Sequence, residues 1–221
     1  MEKYEFEDSI KRITETMTYS RPLVEESIPD KEETSEKQPC FVKATVVYII
    51  MEQTDNSSQV MQSFISEASK IARAHANCKD VICFEDRMIL IYSSAYKSEL
   101  GYALDDAARI RSLSMVVSKL GRKKGYGSIK VNIGMDYGLV EMYRMSTDMK
   151  GSPRFAWRGS SIKNAQKNAE NAQDELVITS VVWNNLNESN QKLFQMQSVL
   201  TENYVGQIVN IMMNNWLNKS L

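Results

Sequence analysis

Residues 41–51, FVKATVVYIIM, constrain this chain more than any other stretch. The run is β-branched and too apolar for a strand with one face in water, so it reads as a central strand covered on both faces or along most of one. Something else in the chain must supply that cover. Val60, Met61, Phe64, Ile65, Ala68, Ile71 and Ala72 recur at three and four residues, which predicts an amphipathic helix over 57–74 with Ser57 or Ser58 as its cap. Leu100, Ala103, Leu104, Ala107, Ile110, Val117 and Leu120 predict a second over 99–120, ended by Gly121. Arg122, Lys123 and Lys124 then stand where cations oppose the negative helix end, with phosphate binding as the other reading.

Between these helices, Asp80 to Ser94 (DVICFEDRMILIYSS) reads as two apolar strands about a turn at Glu85, Asp86 and Arg87. Three charges crowded at a turn fit either a site at the sheet edge or an ordinary solvated turn. Ile129, Val131 and Ile133 alternate with polar neighbours; Gly134 to Gly138 reads as a turn, and Leu139 to Tyr143 as the returning strand. The order β, α, β, β, α, β, β predicts an α/β (α+β) fold with a ferredoxin-like βαββαβ core, an added hairpin, and the two long helices on one face of an antiparallel sheet.

The remaining segments frame that core. Phe6, Ile10, Ile13 and Met17 predict a short N-terminal amphipathic helix, and the acidic, proline-punctuated stretch from Glu25 to Pro39 predicts a linker or surface strap. Beyond the core, a helix from Ser160 or Ser161 to about Ala172 is followed by a strand at Glu175–Thr179 and a helix from Ser180. Val205, Ile208, Val209, Met212 and Trp216 predict a last helix, for docking, dimerisation or packing on its own domain, too short to span a bilayer. The expected organisation is therefore 1–39 helix and strap, 40–190 main domain, and 191–221 docking helix.

Twenty-seven basic against 28 acidic residues leave a net charge of −1, with no global field for nucleic acid or an anionic membrane. Cys40, Cys78 and Cys83 lack metal-type spacing and no signal sequence is read, so a reducing cytoplasm is expected. His75, the single histidine, argues against a multi-histidine zinc site and is expected on a helix surface without chemistry.

The succession ATVVYIIMEQTDNSS, FEDRMILIYSS, VNIGMDYGLVEMYR and FAWRGSSIKNAQKNA resembles the class III nucleotidyl cyclases, and within them is most similar to the Pycsar-type pyrimidine nucleotide cyclases of antiphage defence. The resemblance runs from about Glu5 to Leu186 and rests on order and spacing. It implies a homodimer, or a heterodimer with a complete relative, with composite sites between two chains. It also implies a bound nucleoside triphosphate, Mg²⁺ or Mn²⁺, and a cyclic CMP or cyclic UMP product read by a separate effector.

Cyclisation is attack of the ribose 3′-hydroxyl on the α-phosphorus, for which the family uses two carboxylates that bridge two metal ions. Asp86 matches the aspartate of the paired-strand turn; the other aspartate's position is Ile50, which has no lone pair for Mg²⁺. Glu52 shares the strand parity of Ile50 and is the candidate to reach back, while Asp55 reads as a loop residue. The family's transition-state asparagine and arginine align with Lys163 and Lys167, one helical turn apart, with Asn164 beside the first. Arg144 matches a basic residue of the Pycsar-type pattern, and Arg158 adds charge at the same mouth; a solvated helix face is the alternative for these four cations. Glu85 replaces the glycine before the family's turn aspartate, and Ala156, near the base-selecting position, offers no hydrogen bond. A working pyrimidine cyclase and a catalytically silent nucleotide-binding or dimerising partner therefore both remain open.

Overall fold

The computed structural model describes residues 6–17, 23–25, 28, 39–55, 58–147, 153–198 and 200–219. Most of the acidic stretch 25–39, and Ser57, lie outside them. The chain runs α1 (Phe6–Met17), β1 (Leu23–Glu25), β2 (Cys40–Gln53), α2 (Ser58–Arg73), β3 (Cys78–Phe84), β4 (Arg87–Ser93), α3 (Leu100–Lys123) and β5 (Ile129–Thr147). It continues through β6 (Pro153–Arg158), α4 (Ser160–Asn171), β7 (Leu176–Thr179), α5 (Ser180–Asn185), α6 (Glu188–Gln191), β8 (Gln195–Ser198), β9 (Asn203–Gly206) and α7 (Ile211–Lys219).

The sheet order β3-β4-β2-β5-β7-β9-β8 holds the expected βαββαβ unit in its first four strands, antiparallel to one another; β1 on β2 and β7 on β5 pair in parallel, so the sheet is mixed where an antiparallel one was expected. β2 is the central strand its composition requires. Its odd residues Val47, Ile49 and Met51 enter one core with Phe64 of α2 and Leu104 and Ile110 of α3, so the two long helices share a face. Its even residues Val42, Ala44, Val46 and Tyr48 enter a second core with Ala165 and Ala169 of α4. Helices thus cover both faces of β2, the first of the two covers its composition allows, because a strand apolar at both parities must be buried twice; the second face is closed by α4.

The Gly134–Gly138 segment is not a turn. β5 runs unbroken for 19 residues, paired to β2 from Ile129 to Met142. A Cβ at Gly134 would stand 1.9 Å from the Ala165 carbonyl oxygen and 2.4 Å from the Ala169 nitrogen, so this glycine admits α4 to the sheet. The chain reverses later, and Pro153–Arg158, to which the sequence assigned no element, form β6 against β5.

The C-terminal segment also differs from expectation. Val205 lies in β9, which pairs antiparallel with β7, and β8 extends the sheet further, so residues 195–206 continue the sheet past position 190. Only nine residues remain for α7. Ile211, Met212 and Trp216 on it are exposed, as are Phe6, Ile10, Ile13 and Met17 on α1.

Candidate active site

The end of β2 and the β3–β4 turn meet as the sequence suggests. Ile50 is in register with Arg87, and the Met51 amide donates to the Asp86 carbonyl at 2.7 Å. Glu85 has φ of 50°, a left-handed conformation that glycine adopts without strain, so glutamate here gives up some local stability. Asp86 is exposed, its Oδ1 3.5 Å from Arg87 Nε. Beside it a cavity of about 710 Å³ reaches the start of α2, lined by Gln53, Ser58, Met61 and Ile65.

Ile50 packs against the α4-side core. Glu52 is exposed, and its Oε1 accepts from Asn132 Nδ2 at 2.8 Å. Asn132 is on β5, on the opposite side of β2 from β4, so the carboxylate that was to replace the missing one is held away from Asp86. Among the described residues, no group of three His, Cys, Asp or Glu side chains could hold a metal ion. The donor set does not fit the carboxylate pair that two divalent ions require.

The cations spread over several surfaces. Lys163 is exposed on α4, whereas Lys167, one turn on, lines a different cavity with Asp136, Asn164 and Asn168. Arg144 is half-buried on β5, opposite Phe155 of β6. Arg158 is bound to the Glu141 carboxylate and lies 5.0 Å from the Tyr143 ring centroid. Burial raises the Glu141 pKa, but the bonds from Arg158 and Tyr143 outweigh it and hold the carboxyl below its ordinary value. Arg158 is therefore already engaged within its own hairpin.

Sequence reasoning missed Asp136, in the segment taken as a turn. It is buried on β5, where Oδ1 accepts from the Thr179 hydroxyl at 2.6 Å and Oδ2 from Asn164 Nδ2 at 3.1 Å. Burial raises its pKa, opposed by these bonds. An acidic residue amid an apolar alternation was the available signal. His75 is another correction: it is half-buried in the α2–β3 connection, and its Nδ1 lies 2.9 Å from Oδ2 of fully buried Asp106, which also accepts from the Tyr92 hydroxyl at 2.9 Å. Cys78, beside this cluster, has its thiol pushed up to about 12, chiefly by burial and then by the Asp106 and Asp80 charges, so it is not a nucleophile.

This fold is that of the class III nucleotidyl cyclases. The adenylyl cyclase CyaB from P. aeruginosa superimposes with a TM-score of 0.61 over 78% of this chain and 96% of its own, at 13% identity. A class III adenylyl cyclase-like ATP-binding protein from Pseudomonas aeruginosa gives 0.63 over 96% of this chain and 48% of its own, also at 13% identity. In sequence, the chain is 22% identical to a uridylate cyclase from Treponema porcinum over 177 residues, 77% of this chain. It spans 62% of that relative's length. No family model matches the sequence. Among the described residues, no helix is long and apolar enough to cross a membrane.

Proposed function

We infer that this chain is a nucleotide cyclase homologue of the pyrimidine type, which binds CTP or UTP as one half of a two-chain site. The observation that carries the reading is the meeting of the β2 end with the Asp86 turn beside the start of α2, on a class III cyclase fold. The uridylate cyclase similarity supports the pyrimidine class. Asp86 is the carboxylate of this half-site, Lys163 and Lys167 are the cations for phosphate, and Arg144 and Arg158 lie on the neighbouring hairpin.

Ile50, and Glu52 tied to Asn132, favour a division of labour. Cyclisation to cyclic CMP or cyclic UMP then requires a partner chain that carries both carboxylates, with this chain contributing the α4 lysines. A homodimer repeats the incomplete carboxylate set at both sites and acts as a nucleotide-binding partner. The adenylyl cyclase-like ATP-binding protein, similar over 96% of this chain, supports nucleotide binding on such a fold. In an antiphage setting the cyclic pyrimidine nucleotide would be the signal to a separate effector.

The test is incubation of the purified chain with each of the four ribonucleoside triphosphates and Mn²⁺, with mass detection of cyclic products and a parallel binding titration. The reading expects CTP or UTP to bind in preference to ATP and GTP. Equal affinity for all four, or no binding, would remove it.

A further inference from the structure

A cavity of about 500 Å³ opens on the β7 side of α4, between that helix and the turn before β9. Asp136, Asn168 and Asn203, which line it, are only 3%, 2% and 8% exposed. The Asp136 oxygen that accepts from Asn164 fixes the amide next to it. Asn164 turns Nδ2 to Asp136 and its Oδ1 the other way. Asn168 Oδ1 accepts from Asn203 Nδ2 at 2.7 Å, which leaves Asn168 Nδ2 buried with no partner. A buried amide donor without an acceptor is costly, and it calls for a ligand that brings one.

The two asparagines stand one helical turn apart on α4, one offering an acceptor and the other a donor. Their complement is an edge with a carbonyl next to an N–H, the pattern of a uracil ring. Tyr137 and Val181 supply apolar surface for a ring face, and the Lys167 ammonium at the same cavity suits a phosphate. We propose that this cavity is a second nucleotide site, for a uridine monophosphate, with the ring edge on Asn164 and Asn168 and the phosphate on Lys167. It shares Lys167 with the function proposed above but does not use Asp86, so the two readings fail separately.

The probe is UMP, titrated calorimetrically into the full chain in the presence of EDTA. Saturable binding at one site per chain is expected. Val181→Trp, at a half-exposed position on the cavity, should weaken it about tenfold or more by filling the space, and Asn168→Leu should do the same with an unchanged circular dichroism spectrum. Asp86→Ala should leave UMP affinity as it was. No saturation by about 1 mM, AMP binding as tightly as UMP, or unchanged affinity in Val181→Trp would each overturn the proposal. Because Val181 is exposed, that variant keeps the test decisive even if Asn168→Leu does not fold.

Discussion

Trp157 of β6 donates its indole N–H to the Asp80 carboxylate of β3 at 2.8 Å, although β5, β2 and β4 stand between the two strands. Four strand spacings would part them by roughly 19 Å in a flat sheet, so the sheet coils until its β6 end folds back over the α4-side core. Ile50, Ile82, Phe155 and Trp157 all pack there. Trp157→Phe keeps an aromatic ring and removes this bond to the Asp80 carboxyl group. It should lower unfolding stability by about 1–2 kcal/mol, read from the denaturant midpoint at unchanged slope. A shift under a few tenths of a kcal/mol would mean that the contact does not hold the coil closed.

Gly134 and Gly101 make a contrasting pair. An alanine methyl at Gly134 meets the α4 backbone, which cannot yield as a side chain does, so Gly134→Ala should cost about 1–3 kcal/mol. Gly101 lies in the first turn of α3 with nothing within 4 Å of an added Cβ, and Gly101→Ala should stabilise by about 0.4–1 kcal/mol, chiefly by restricting the unfolded chain. Thermal midpoints that move in the same direction for both would contradict the role given to Gly134.

Asp106 gives a pH dependence. Burial raises its folded-state pKa, opposed by Tyr92, His75 and Arg109, so the folded chain holds this proton to higher pH than the unfolded chain does. Stability from this group is then fully present below the ordinary carboxylate pKa and is lost as pH rises through the raised value. Asp106→Asn, which can still accept the Tyr92 hydroxyl, should flatten the decline in stability on raising pH above about 4. A profile parallel to the unaltered chain's would contradict this.

How much of this was legible in the sequence depended on what each residue's neighbours were. The FVKATVVYIIM strand, the two long helices and the EDR turn declare themselves through local periodicity, and the turn stands at the end of β2, with Arg87 in register with Ile50. Gly134 and Gly138 misled because a glycine that makes room for a helix looks, in one dimension, like a glycine that makes a turn. Val205 misled because a strand at the end of a sheet carries the same apolar residues as a helix stripe. The cavity set of Asp136, Asn168 and Asn203 draws on β5, α4 and β9, and residues so far apart in sequence meet only through the fold.

The most direct test of the central claim, a cyclase-fold nucleotide site with an incomplete carboxylate pair, is cyclic nucleotide formation from CTP and UTP with Mn²⁺ by the unaltered chain and by Ile50→Asp, each alone. The account predicts triphosphate binding by both, lost in Asp86→Ala, with no cyclic product from the unaltered chain and cyclic CMP or cyclic UMP appearing with Ile50→Asp. That gain comes at some cost in stability where Ile50 packs on the core. Multiple turnover by the unaltered chain alone, with no increase on Ile50→Asp, would contradict it.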